Sequence, residues 1–436
     1  MEKVTFKRGV HVKEYKELSA DSQIFSSNMP KTVTIPLAQH IGAPSKCIVK
    51  KKDEVKVGQL IGEANGQFSA NIHSSVSGVV KDILNIQTAS GRNAQAVVIE
   101  TDGLDEKCYG KEVIDAFNLS KEEIVAKIKE AGIVGMGGAT FPAHIKYTPA
   151  KPIDTVIVNG AECEPFVTCD DNLLRLKSEN IIKGLLLCVK AVDAKEGILA
   201  IEDNKTKAIE VVSEKLKELN YDNIRIVTLK TKYPQGDEKR IIDAVLHRKV
   251  PSGGLPMDVG VNVSNVSTVN AIYEACFLNK PLYERYITIT GHAVKEPRNL
   301  LVRIGTSMRE LIEQCGSTKE PVGKLISGGP MMGISQQSFD TPVEKGTNCV
   351  LLLTKKEAEP PVINPCIRCG KCVSVCPVGL LPLYIAKNAT AEKYDQCESF
   401  NIKDCIECGS CSFICPAKRP LVESIRFGKR QLKRAK

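Results

Sequence analysis

Tryptophan is absent from the 436 residues, and all aromatics together reach only 5%. A surface that stacks nucleic-acid bases on interleaved aromatics is therefore not expected. No run of about 18 or more apolar residues occurs, so no membrane span is expected. The opening MEKVTFKRG lacks the apolar core of a secretory signal, so the chain is expected to stay in the cytosol. Histidine is scarce, with six in all. His144 and His292 show no evident partners, and no Ser-His-Asp arrangement or zinc-protease motif is present. The net charge of +9 is modest for this length. Its sharpest local expression is the terminal RFGKRQLKRAK, with six basic and no acidic residues; it reads as a solvated end or as a contact for anionic lipid or an acidic partner.

Cysteine, in contrast, is abundant, with seventeen residues. In a long chain without a secretory signal, clustered cysteines point to metal rather than disulfides. CIRCGKCVSVCP and CIECGSCSFICP are two copies of C-x2-C-x2-C-x3-C-P. Three thiolates at this spacing can wrap one face of an iron-sulfur cube. The fourth lies past a turn set by Pro377 or Pro416 and, in two-cluster ferredoxins, ligates the other cluster. The expected sets are Cys366, Cys369, Cys372 with Cys415, and Cys405, Cys408, Cys411 with Cys376. Zinc is the competing metal, but zinc sites usually pair two separated C-x2-C units, often with histidine. Cys397, between the runs, reads as a packed free thiol.

The remaining chain divides by pattern. Residues 31–100 read as short strands (KTVTIPL, SKCIVKK, SGVVKDILNI), and DEVKVGQLIGEANGQFSANIHSSVSGVV resembles the barrel-sandwich of lipoyl and biotinyl carriers. No carrier lysine is displayed, so a swinging arm is not expected. From residue 120 helix and strand alternate. SKEE is a capping box, with Ser120 as cap and Glu123 reaching back, and Gly132 is a helix stop. Strands at 153–160, 197–203 and 224–229 flank helices at 178–192 and 204–219, which implies a mostly parallel sheet. Residues 284–330 resemble a β-grasp ligand-binding module, and KKEAEPPVINP is a linker. The expected architecture is α/β and β multidomain. It comprises an N-terminal barrel-sandwich hybrid (1–110), a Rossmann-like parallel α/β flavin domain (111–275), a β-grasp, SLBB-like module (276–350) and a two-cluster ferredoxin-like helical domain with a basic tail (355–436).

GMGGATFPAHIK at 135–146 places three glycines in four positions. It is not G-x-G-x-x-G and follows a helix, so taken alone it is either a turn or a cofactor loop. One-electron clusters fed by a nicotinamide need a flavin between them. Ligands of open parallel sheets bind beyond the carboxyl ends of the strands, where NGAECEP (159–165), TKYPQGDEKR (231–240) and NVSNVSTV (262–269) fall.

GMGGATFPAHIK, NGAECEP, QGDE and NVSTV, in this order, resemble the NADH-oxidising flavoprotein subunit of respiratory complex I. AQHIGAP, HSSVSG and the twin ferredoxin runs extend the likeness over essentially the whole chain to the RnfC family of Rnf electron-transport complexes. The resemblance implies that Gly135, Gly137 and Gly138 let the backbone approach FMN, that Phe141 stacks near the nicotinamide and that Lys146 helps with phosphate. It implies that Asn159 and Glu162 bond the flavin or NADH region with Glu164 nearby, that Gly236, Asp237 and Glu238 line the nucleotide side, and that Asn265 and Thr268 hold the FMN phosphate or ribityl chain. Met136 departs from the family's basic residue, Ala161 from an acid and Cys163 from a serine, and Lys239-Arg240 replace a neutral pair.

The implied cofactors are FMN and two [4Fe-4S] clusters, with NAD(H) as substrate. The implied role is a peripheral, cytoplasm-facing component of an ion-translocating ferredoxin:NAD oxidoreductase. Its partners would be a ferredoxin-like iron-sulfur subunit and integral membrane subunits. A soluble relative feeding a reductase such as proline reductase, and a relay scaffold that binds no nucleotide, are the alternatives.

Overall fold

The computed structural model describes residues 3–110 and 115–434. The expected start of the second domain at residue 111, and the last two residues of the basic tail, lie outside the described residues.

Two antiparallel sheets build the barrel. One orders Thr32–Pro36, Asn93–Thr101, Gly78–Gln87 and Glu54–Val55, and the other Lys46–Cys47, Leu60–Glu63 and Ile72–His73. Val33 and Ile35 alternate inward and are fully buried, the period of a half-buried strand. The strand anticipated over SKCIVKK keeps only two ladder residues, because the Lys50 amide turns to the Asp53 carboxylate at 2.9 Å and bends the chain.

The second domain carries a four-stranded parallel sheet in the order Ile224–Leu229, Glu196–Glu202, Thr155–Gly160, Val261–Asn265. Strand order reverses between Thr155–Gly160 and Val261–Asn265, which puts a crevice beyond their carboxyl ends. The expected capping box closes helix Lys121–Glu130, and Gly132 follows it at φ 65. Helices Ser178–Ala191, Thr206–Leu219 and Val266–Leu278 cover the sheet. Helix Cys169–Leu176 was not legible in the sequence. Its N-cap Thr168 makes no side-chain cap bond; instead the Glu162 carboxylate accepts the Asp170 and Asp171 amides at 2.7 and 3.3 Å. One hydrophobic core runs on from this domain into the barrel.

A six-stranded mixed sheet follows, ordered Phe25–Ser26, Arg298–Arg303, Glu284–Thr290, Cys349–Thr354, Val322–Ser327, Ile334–Ser335, with helix Met308–Gln314 packed on it. The N-terminal segment is long-range in its pairing. Val4 bridges Leu229, Val10 bridges Tyr233, the Gly9 amide donates to Val375 O at 3.0 Å, and Phe25–Ser26 joins the mixed sheet. Residues 4–26 thus pair outside the two barrel sheets.

The cysteine-rich domain is a small set of helices, Lys371–Ser374, Pro382–Thr390, Tyr394–Ser399, Ser410–Ile414 and Leu421–Arg434, around its own core. Cys397 is fully buried there. The basic tail is not a loose solvated end within the described residues. It is the last part of an amphipathic helix whose Val422, Ile425 and Leu432 enter this core, while Arg426 and Lys429 both pair with Glu407.

Candidate functional site

The glycine loop lies over the switch point of the parallel sheet. The Gly135 amide donates to Phe141 O and the Thr140 amide to Gly135 O, closing the loop on itself at 2.8 and 3.2 Å. The Met136 amide donates to Thr268 Oγ1 at 2.9 Å, tying it to helix Val266–Leu278. Gly137 sits against Asn265 so closely that an added Cβ would stand 3.3 Å from the Asn265 Cβ. Gly138 adopts φ 119, a left-handed value that favours glycine, with open space beside it. Gly137, Gly138 and Ala139 are exposed, and their amides find no acceptor among the described residues. Three unpaired N–H groups beside a helix N-terminus make a cradle for a phosphate or a ring carbonyl.

Asn265 and Asn159 are register partners on adjacent parallel strands, so both face the crevice. Asn265 caps helix Val266–Leu278 by accepting the Ser267 amide at 2.8 Å. Its Nδ2 donates to Asp170 Oδ2 at 2.6 Å, and Ser267 Oγ donates to Asp170 Oδ1 at 2.7 Å. Asn159 Nδ2 donates to Gly236 O at 2.8 Å, joining the loops 159–165 and 231–237. The Gln235 Nε2 is buried without a partner there. Lys146 pairs with Glu238 and donates to Val263 O at 3.0 Å, which sets a charge pair on the rim.

The acidic side chains of NGAECEP are turned into the protein. Besides capping Cys169–Leu176 through Glu162, the loop sends Glu164 to the amides of Met331 and Met332 at 3.1 and 2.9 Å. Burial raises the Glu164 carboxyl to about 7 against these amides, and burial likewise raises Glu162, with Lys16 opposing. Asp237 caps its own helix through the Arg240 amide at 3.2 Å. Phe141 meets Phe68 of the barrel edge-on, with ring centroids 6.1 Å apart.

Three participants were missed from sequence. Lys16 donates to the carbonyls of Glu162, Glu164 and Val167, and so clamps NGAECEP from the N-terminal segment. Asp170 orients Asn265 and Ser267. Arg285, on the mixed sheet, is buried and donates to Lys345 O and, at 3.4 Å, to Met136 O. Burial lowers its guanidinium to about 10, with Cys169 and Asp170 opposing. Met136 itself is only 3% exposed; a cation reaches this part of the loop from below rather than from position 136. No local pattern could have signalled these contacts, since each joins segments far apart in sequence.

His292 does have a partner, Glu357, and stands edge-on to Tyr15 and Phe166. His144 is buried, and burial lowers its imidazole below the usual value, with Lys129 adding to the drop.

In the ferredoxin-like domain, Cys376, Cys405, Cys408 and Cys411 line one cavity. This brings the fourth cysteine of the first run to the three leading cysteines of the second, the donor set a cube requires. Among the described residues no three His, Cys, Asp or Glu side chains close on a single-ion position. Cys372 and Cys415 of the other set both pack against this domain's core, and burial raises the Cys372 thiol. Cys366 and Cys369 are exposed. The Tyr233 hydroxyl donates to Cys408 O at 2.8 Å, Arg240 donates to Pro377 O, and Arg8 donates to Cys376 O at 3.4 Å. The first two contacts come from the nucleotide domain and the third from the N-terminal segment.

Four domain families match in order along the chain. They are the RnfC barrel sandwich hybrid domain at residues 4–104, the Nuo51 FMN-binding domain at 128–274, the SLBB domain at 286–335 and a 4Fe-4S dicluster domain at 365–418. Among solved structures, an NAD+-reducing [NiFe]-hydrogenase in the H2-reduced state superposes with a TM-score of 0.50 at 16% identity. The match covers 73% of this chain and 61% of that one, under two-thirds of its length, and it speaks to fold alone. The RnfC-type subunit of the Na+-translocating ferredoxin:NAD+ oxidoreductase complex of Acetobacterium woodii is 48% identical, over 98% of this chain and 97% of its own. The counterpart from the proton-translocating complex of Clostridium ljungdahlii is 45% identical, over 97% and 93%. The counterpart from the ion-translocating oxidoreductase complex of Rhodobacter capsulatus is 41% identical, over 99% and 84%. With such identity along nearly the whole chain, carried on the same four domains in the same order, this protein belongs to the RnfC family of ion-translocating oxidoreductase (Rnf) complexes.

Proposed function

We propose that this chain is the NAD(H)-handling subunit of an ion-translocating ferredoxin:NAD+ oxidoreductase. It would exchange electrons between a nicotinamide dinucleotide and two [4Fe-4S] clusters by way of FMN. The observation that carries the reading is the row of unpaired amides at Gly137–Ala139, set at the switch point of a parallel sheet whose loops also contact a cysteine-lined cavity.

FMN, when bound, supplies the conversion between two-electron exchange with a nicotinamide and one-electron exchange with iron-sulfur clusters. The protein's part is to bind and orient. Gly135, Gly137 and Gly138 give the close backbone approach, and Asn265 and Thr268 hold the helix N-terminus against the loop. Asn159 fixes Gly236, and the Lys146–Glu238 pair bounds the rim. Glu162, Glu164 and Asp237 serve the same site by holding its loops rather than by direct contact. Cys376, Cys405, Cys408 and Cys411 would carry the enclosed cluster beside the nucleotide domain. Cys366, Cys369, Cys372 and Cys415 would carry the outer one, where exposed Ile363 and Ile367 border a surface open to a ferredoxin-like partner. No helix among the described residues is long and apolar enough to cross a membrane. Membrane attachment on the cytoplasmic face would then run through partner subunits.

The test is to add NADH to anaerobic protein reconstituted with FMN and iron-sulfide. Bleaching of flavin absorbance followed by cluster absorbance is expected. If neither bleaches, the chain is not an NAD(H)-oxidising protein.

A further inference from the structure

The barrel carries no carrier lysine, yet one of its loops is built onto the glycine loop. The Ile41 amide donates to Thr140 O at 3.2 Å. Phe68, on the loop packed against Gly42, is 49% exposed although its own backbone is firmly held. The Ala43 amide donates to Phe68 O at 3.0 Å. Gly42 lies so close, at φ 112, that a Cβ there would stand 1.9 Å from the same oxygen. A large apolar ring is thus presented to solvent on a fixed backbone, and the ring it meets is Phe141. Phe141 follows closely on the exposed amides of Gly137–Ala139.

We propose that Phe68 is a dinucleotide-binding residue contributed by the barrel. With Phe141 it forms an aromatic wall that takes one planar ring of NAD(H) beside the amide cradle. The proposal rests on the NAD(H) reading above. A held, half-exposed aromatic is suited to this task. Its ring loses little freedom on binding, and a heteroaromatic ring buries its apolar face against it. The barrel would then serve as one side of the nucleotide site and not merely as a scaffold.

The experiment uses the full chain, reconstituted anaerobically with FMN and clusters. Binding of NAD+, ADP-ribose and nicotinamide mononucleotide is measured by calorimetry for wild type, Phe68→Ala, Phe68→Leu and Phe68→Tyr. Flavin and iron content are determined on the same samples. Stacking on an aromatic side chain is worth enough that Phe68→Ala and Phe68→Leu should weaken NAD+ binding about five-fold or more, with Phe68→Tyr close to wild type. The leucine variant keeps much of the apolar bulk, so a loss shared by both is a loss of the ring. A parallel loss for ADP-ribose assigns the adenine to the wall, and one for the mononucleotide assigns the nicotinamide. Unchanged NAD+ affinity in both variants, or loss of FMN with NAD+ affinity intact, overturns the proposal. Wild type that binds no NAD+ overturns the underlying reading instead.

Discussion

The Tyr233 hydroxyl donates to the Cys408 carbonyl at 2.8 Å, one buried hydrogen bond between the nucleotide domain and a cluster-binding loop. Phe at this position leaves a buried carbonyl without its donor, which costs about 1–3 kcal/mol. Tyr233→Phe should therefore lower the urea midpoint while retaining flavin and iron. In stopped-flow mixing with NADH, cluster bleaching should slow relative to flavin bleaching. Equal slowing of both, or of neither, would show that this contact does not set the approach of the two domains.

The cysteine pairing makes a sharper demand. Cys372→Ser and Cys415→Ser should remove the same cluster and give matching low-temperature EPR spectra on reduction. Cys376→Ser and Cys411→Ser should remove the other. If Cys415→Ser instead matches Cys411→Ser, each run holds its own cluster and the interleaved assignment fails.

Gly137→Val is expected to abolish flavin binding while leaving the iron content intact. Its branched side chain would press on Asn265, already 3.3 Å from a modest Cβ, and would cover the amide row. Such overpacking costs about 1–3 kcal/mol, and near a phosphate the loss of backbone approach adds to it. Flavin fluorescence after acid release, set against iron content, reads the outcome.

Lys345 gives a pH signature. Its ammonium is fully buried against the Asn71 and Gly132 carbonyls, at 2.6 and 2.7 Å, and burial lowers it to about 7. A lysine held below its unfolded value binds fewer protons folded than unfolded, so its contribution to stability improves as pH rises from about 7 towards about 10.5. The stability of wild type relative to Lys345→Met should therefore grow between pH 7 and pH 9.5, as measured by urea unfolding. A difference that is flat with pH would mean the ammonium is not desolvated in the native state.

What the sequence disclosed was local. The two Cys-Pro runs, the Ser120–Glu123 capping box and each of the four loop segments are readable within a dozen residues. Helix Cys169–Leu176 escaped because its cap, Glu162, lies outside the helix and is held at φ 47. Lys16, Arg285 and Asp170 escaped for a related reason: each acts on a backbone or side-chain group far along the chain, and the lysine and arginine carry no motif of their own. Met136 read as a missing charge, while the structure shows a buried arginine beneath the same loop. Sequence comparison by position sees only the first of these facts, because the compensating residue belongs to a different domain.

The N-terminal segment has a consequence for biosynthesis. Gly9 bonds Val375 and Arg8 bonds Cys376, so residues made among the first find their partners only when the first cysteine run has left the ribosome. Contacts that close so long a loop form late. Lys16 does not wait for them, because the Val10–Tyr233 bridge and the Phe25–Ser26 pairing hold the segment on either side of it. The nucleotide crevice can thus close before the iron-binding domain arrives, and a chain truncated before residue 375 should leave only the Arg8–Gly9 end of the segment without its partners.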